Sequence, residues 1–84
     1  MSYEIFIKRS AQKELQNLPE TIHERIIASV LRLRDDPVPT GAKKLRGRDW
    51  FRIRIGSYRL LYGVNCRTRR IDIYAVAHRK EAYR

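Results

Sequence analysis

The stretch Trp50-Phe51-Arg52-Ile53-Arg54-Ile55-Gly56-Ser57-Tyr58-Arg59-Leu60-Leu61-Tyr62 constrains the fold more than any other part of the chain. Two alternating runs flank Gly-Ser, a two-residue connection suited to a type II′ hairpin turn with glycine first. That turn pairs Ile55 with Tyr58 and sets Arg54 opposite Arg59. Side chains alternate across a strand, so the hairpin sorts into two faces. One carries Phe51, Ile53, Ile55, Tyr58, Leu60 and Tyr62; the other carries Trp50, Arg52, Arg54, Arg59 and Leu61. Like charges directly opposite across a ladder repel. Three arginines on one small patch therefore predict an anion that relieves the repulsion.

The remaining segments supply what such a hairpin needs to pack against. Tyr3 to Ile7 alternates, with Tyr3, Ile5 and Ile7 on one side, and reads as a first strand. Ser10 is placed to cap a short helix whose apolar positions are Ala11, Leu15 and Leu18. Pro19 breaks that helix and starts a second. In the second, Ile22, Ile26, Val30 and Leu33 form one stripe, widened by Ile27 and Leu31. Asp35-Asp36-Pro37 ends it, because a residue before proline avoids helical angles. Val38 to Asp49 reads as a connecting loop carrying Lys43, Lys44, Arg46 and Arg48. Asn65 to Thr68 reads as a turn, and Arg70 to Ala77 as a last strand with Ile71, Ile73, Ala75 and Ala77 on one side. A polar tail, His78 to Arg84, follows. The expected architecture is an α+β fold over residues 1–84 as a single domain. Its small, antiparallel-dominated sheet carries a helical hairpin on one face, in the order β-α-α-β-β-β. The aliphatic hairpin face should meet the helices, and the arginine face should look into solvent or a cleft.

Charge narrows the partner. Among 84 residues, 19 are basic and 9 acidic, a formal net charge of +10, and 14 of the basic residues are arginine. The planar guanidinium fork matches phosphate in a bidentate way that a lysine point charge does not. The bias favours a nucleic-acid or phosphate partner, and the same field attracts an acidic protein. Apolar residues make up 43% of the chain, enough for the modest core of a domain this size. The single cysteine, Cys66, excludes an internal disulfide and fits a reducing compartment. No apolar run approaches the ~20 residues that span a bilayer, and the N-terminus lacks a signal-peptide pattern. A cytoplasmic protein without membrane contact is expected.

Two histidines and one cysteine at these spacings give no metal-site pattern, and no Gly-rich phosphate loop or serine-hydrolase motif is present. Asp35-Asp36 terminates a helix. His23 lies on the polar side of its helix, and Tyr58 and Tyr62 belong to the apolar face. Lys43, Lys44 and Arg48 read as residues of a solvated loop. Trp50 shares the arginine face, where it either stacks on a base, as aromatics do in single-strand readers, or packs against the loop.

Three ordered segments carry a resemblance: Lys44-Leu45-Arg46-Gly47, the hairpin from Phe51 to Tyr62, and His78-Arg79-Lys80-Glu81-Ala82-Tyr83. With Ala11-Gln12-Lys13-Glu14-Leu15-Gln16-Asn17-Leu18-Pro19, they resemble the RelE/ParE toxin superfamily, most closely its RelE branch, over essentially the whole chain. The resemblance implies the toxin of a type II toxin–antitoxin pair, an endoribonuclease that cuts messenger RNA in the ribosomal A site. It implies contacts to 16S and 23S ribosomal RNA. It also implies neutralisation by an acidic antitoxin of RelB or another type, and contact with DNA only through that antitoxin.

By the same resemblance, Arg59 binds the scissile phosphate and Arg79 assists it. Tyr83 stacks on a substrate base and orients the 2′-hydroxyl. Arg46 matches a basic loop residue near the same groove, and Lys44 of its motif, Trp50 of the arginine face and His78 of the tail are expected to contact RNA beside it. Arg52 and Arg54 fall where the best-known RelE has two lysines, one of them assigned as a base. Arginine cannot be deprotonated in a protein, so these two can stabilise charge but not accept a proton. His78, an imidazole and so a candidate proton acceptor, or the ribosomal RNA would have to supply a base. No metal or cofactor is expected. The competing expectation is a ParE-like toxin that inhibits DNA gyrase by a protein contact without catalysis; a third is a plain basic nucleic-acid-binding module.

Overall fold

A computed structural model describes residues 2–45 and 50–78. Its elements run β1 (Glu4–Ile7), α1 (Arg9–Gln16), α2 (Glu20–Leu33), β2 (Lys43–Lys44), β3 (Trp50–Ile55), β4 (Tyr58–Asn65) and β5 (Arg70–His78). The strands form one sheet in the order β1-β5-β4-β3-β2. β1 runs parallel to β5, and the other neighbouring pairs are antiparallel. Both helices cover one face, giving the expected α+β layers.

The hairpin has the expected register, with Ile55 facing Tyr58 and Arg54 facing Arg59. Gly56 has φ 62°, and Ser57 is not among the described residues with positive φ. A type II′ turn demands that combination. From this hairpin Ile55, Leu60 and Tyr62 join Ile71, Ile73 and Val76 of β5 under the helices. Ala11 and Leu15 of α1 and Ile26, Val30 and Leu33 of α2 close the cluster from above, at the four- and three-residue spacings of a helical stripe. Each large aliphatic side chain buried here contributes about 1.5–3 kcal/mol. Tyr62 is fully buried, and its hydroxyl donates to the Pro37 carbonyl at 2.8 Å. Burial first, and the Asp36 carboxylate second, push its pKa up to about 12.

Four sequence expectations are corrected. Helix α1 begins at Arg9, before Ser10, and the residue in the cap position, Lys8, makes no side-chain cap bond. The strand feeds straight into the helix, and the Gln12 Nε2 donates back to the Ile7 carbonyl at 2.9 Å, tying the two elements together. The loop after α2 is not wholly irregular. Lys43 and Lys44 pair with Arg52 and Phe51, and the Leu45 N–H donates to the Trp50 carbonyl at 2.8 Å. The outer edge of β3 would otherwise expose its own ladder groups, and the loop returns to satisfy them. The last strand also runs one residue further than expected, through His78.

The fourth correction reaches the site. Leu61 pairs with Ala75 but the next residue, Tyr62, pairs with Ile73, so Tyr74 is an extra residue on β5. Such a bulge shifts the alternation by one. Ile71 and Ile73 face the helices as expected, but Ala75 and Ala77 do not share their side. Val76 takes the core position opposite Leu60, while Ala75 and Ala77 stand opposite Leu61 and Arg59. Beyond the end of β1, the Val76 N–H donates to the Glu14 Oε1 of α1 at 2.9 Å, so the helix completes that edge.

Candidate nucleic-acid interface

The face away from the helices divides into a cationic half and an aromatic half. In the cationic half, Arg54 and Arg59 stand directly opposite each other, next to the turn-closing pair. Such non-hydrogen-bonded antiparallel pairs have Cα atoms about 4.5 Å apart. Arg52 lies two residues along β3, about 6.7 Å away on the same face. Lys43 of β2 is its partner on the other side. Thr40, Gly41, Lys43, Arg52, Ile53 and Arg54 line a recess of about 370 Å³. Lys43, Arg52, Arg54 and Arg59 thus follow one another as neighbours, which makes this a strongly positive surface.

Arg59 differs from its neighbours. Arg54 is exposed and Arg52 half-buried, but Arg59 is only 4% exposed, with its Nε and Nη1 sealed from solvent. Its cross-strand neighbour Ala77 offers only a methyl group, a consequence of the bulge, and leaves relief in which a long side chain can settle. A guanidinium stays charged when buried. Water screens it less there, so its attraction for an anion at the surface is stronger than that of a solvated arginine.

The aromatic half is organised around Tyr74, the bulged residue. Its ring stacks on Trp50 with centroids 4.4 Å apart and planes 29° apart. A Cβ built on Gly63 would come within 2.9 Å of the Tyr74 ring, so glycine is what lets the ring lie across β4. The Lys8 ammonium lies 4.8 Å from the same ring. At the β1 side, the Arg70 guanidinium covers the Phe6 ring at 3.9 Å and binds the Asp72 carboxylate through two nitrogens, each at 3.0 Å.

The fold brings together Arg52, Arg54, Arg59 and Trp50 on one face. It places two other expected RNA-binding residues elsewhere. Lys44 pairs with Phe51 and so lies on the helix-side alternation. His78 pairs with Tyr58, and the two rings meet edge to face at 5.4 Å and 84° on the helix side. The bulge is the reason: it turns His78 away from the arginines. Arg46, Arg79 and Tyr83 lie outside the described residues. Lys43 and Tyr74 belong to the face and were not singled out from sequence for it. Lys43 is marked only by its pairing with Arg52, whereas alternation with Ile71 and Ile73 already sets Tyr74 on this face.

The chain matches a family model described as the ParE toxin of the type II toxin–antitoxin system parDE, over residues 5–83. A curated relative from Methanocaldococcus jannaschii, named for toxin RelE1, is 30% identical over 88 aligned positions, covering all of this chain and 98% of the relative. Among solved structures, the archaeal RelE–RelB complex from Pyrococcus horikoshii matches with a TM-score of 0.83 at 31% identity, over 98% of this chain and all of that one. The RelBE2 toxin–antitoxin complex from Mycobacterium tuberculosis matches with a TM-score of 0.82 at 27% identity, over 93% of this chain and 99% of that one.

Proposed function

This chain belongs to the RelE/ParE superfamily of type II toxins, on its RelE branch, and from that premise we propose that it is a metal-independent endoribonuclease acting on messenger RNA in the ribosomal A site. The observation that carries the reading is the convergence of Arg52, Arg54 and Arg59 on one open face, with Arg59 held at 4% exposure. Three fixed positive charges suit a reaction that gathers negative charge at phosphorus.

The 2′-oxygen attacks the adjacent phosphorus, a pentavalent phosphorane forms, and the 5′-oxygen leaves and takes up a proton. The products are a 2′,3′-cyclic phosphate and a 5′-hydroxyl. Arg59 binds the non-bridging oxygens. Arg52 and Arg54 lower the pKa of the attacking 2′-hydroxyl and hold the charge of the phosphorane. Among the described residues, the ladder partners of these arginines outside the cluster are Lys43, Leu61 and Ala77. Arginine cannot accept the proton, so the role proposed for these three arginines is electrostatic, with the proton taken by a group other than them. Arg79 as a second phosphate ligand and Tyr83 as a base-stacking residue follow from the resemblance. The antitoxin is an acidic chain of RelB type, consistent with the RelB-bound relatives, and is drawn by the net charge of +10.

The family model named for ParE favours one other reading, a gyrase inhibitor acting by protein contact. Primer extension on programmed ribosomes, run beside a gyrase supercoiling assay, separates the two. The nuclease reading expects message cut within the A-site codon and unimpaired supercoiling. Intact message with blocked supercoiling would replace it with the second.

A further inference from the structure

Next to the arginines, Trp50 and Tyr74 form one wall of an open cavity of about 680 Å³, with Gly63, Asp72, Asn65 and Arg67 around it. We infer that this cavity is a base-binding subsite, in which an unpaired nucleobase of the RNA strand stacks against the Trp50–Tyr74 pair while the arginines hold the neighbouring phosphate. The inference rests on the nuclease reading for the identity of the strand, and adds to it a recognition element on β3 and β5.

Position argues for it. Trp50 and Arg52 are alternate residues of one strand, on one face, about 6.7 Å apart. That step is close to one nucleotide of extended single strand. A chain whose phosphate lies on Arg52 thus delivers its adjacent base to Trp50. Chemistry argues the same way. The cavity walls are two π faces, one of them lying over Gly63, and the Asp72 carboxylate, which Arg70 holds in place. A carboxylate repels phosphate and accepts hydrogen bonds from base edges. The cationic half has the opposite preference, so the two halves sort a nucleotide into its parts. Arg67, on the turn after β4, stands at the far rim and can meet the next phosphate. The geometry is also built, not incidental: Trp50 and Tyr74 stack on this face, and Gly63 is needed for the Tyr74 ring to lie there.

Trp50 is the only tryptophan in the chain, so its fluorescence reports on the cavity directly. The experiment titrates the full-length chain with a short single-stranded oligoribonucleotide, 2′-O-methylated to block cleavage, and with an abasic ribose-phosphate chain of equal length. The expected result is saturable quenching by the first, with about tenfold tighter binding than the second, the scale of one stacked base. Labelled-oligonucleotide anisotropy should show Trp50→Ala losing that tenfold and Trp50→Phe recovering most of it. Equal affinity for the base-bearing and abasic chains overturns the inference. So does a Trp50 signal that answers only to an acidic peptide. Neither needs a variant that folds, because both are read on the unaltered protein. A-site cleavage is measured on the same preparation. Cleavage without base-dependent quenching sinks the subsite alone, and base-dependent quenching without cleavage sinks the nuclease reading alone.

Discussion

The two faces of this one sheet are built from the same strands and obey different rules. On the helix side, Ile55, Leu60, Tyr62, Ile71, Ile73 and Val76 are all buried against two helices, and each of these six is an aliphatic or a tyrosine with its hydroxyl bonded. On the other side, the intervening positions carry Trp50, Arg52, Arg54 and Arg59, with like charges directly opposed. A face selected for stability alone would not oppose two arginines, since replacing one would relieve the repulsion. The helix side holds the core; the arginine side sets two guanidinium groups opposite each other, the arrangement from which the proposed phosphate site is argued. A single extra residue, Tyr74, decides which part of β5 serves which face.

Substitutions on the two faces should therefore separate activity from stability. The largest effect is expected from Arg52→Ala combined with Arg54→Ala. Cleavage should fall about 100-fold or more, the scale of lost charge stabilisation in a transition state. The melting temperature should hold or rise. A matching loss of stability would mean that these arginines are structural. Leu60→Ala should do the reverse, costing about 2–5 kcal/mol in denaturant unfolding by opening a cavity under the helices. Any toxicity it loses should return at lower temperature.

Gly63→Ala probes the boundary between the faces. Its new methyl group meets the Tyr74 ring at 2.9 Å, and overpacking of this kind costs about 1–3 kcal/mol. Circular dichroism and thermal melts should register that cost, with a perturbed Trp50 emission spectrum because Tyr74 is the ring it stacks on. If Gly63→Ala is neutral in both, the stacked arrangement is not a fixed feature.

Tyr62 gives a pH test confined to the helix side. Its folded pKa is raised to about 12, against an ordinary value near 10. Below the ordinary value the tyrosine is neutral in both states and its contribution is complete. As pH rises from about 10 towards about 12, the unfolded chain releases the proton and the folded chain does not, so stability falls. Tyr3 is raised too, first by its hydrogen bond with Cys66 and then by desolvation. Tyr62→Phe isolates the core residue: it should remove its share of the alkaline decline, at a cost near neutral pH of about 1 kcal/mol for the lost bond to Pro37. An unchanged alkaline slope in denaturant titrations would contradict the assignment. The smallest effect is expected at the rim of the arginine face. Lys43→Ala should weaken RNA binding by about threefold and flatten its salt dependence, as loss of one surface phosphate contact does.

Much of this contrast was legible in the chain. The hairpin was readable because period-two alternation and Gly56-Ser57 fix both its register and the opposition of Arg54 and Arg59. The helical stripes through Ile26, Val30 and Leu33 were readable for the same reason of period. The bulge was not. Ile71, Ile73, Ala75 and Ala77 alternate without a break in sequence, and nothing local marks an inserted residue. Packing decides the matter, because Val76 fills the space beside Leu60 that an alanine would leave partly empty. The same blind spot turned His78 to the helix side, whereas Tyr74 lies on the open face by the plain alternation with Ile71 and Ile73. Lys43 was hidden because a two-residue strand has too few positions to show a period. The burial of Arg59 depends on neighbours from another strand, which no local pattern encodes.

The central claim, that the guanidinium groups of the open face act on the scissile phosphate, is tested most directly at Arg59. Single-turnover cleavage of a defined message on programmed ribosomes should be measured for the unaltered chain and for Arg59→Ala, each verified as folded by its melting transition. The account predicts that Arg59→Ala binds the ribosome yet cuts at least 100-fold more slowly. A folded Arg59→Ala protein that cuts the A-site codon at the unaltered rate would contradict it.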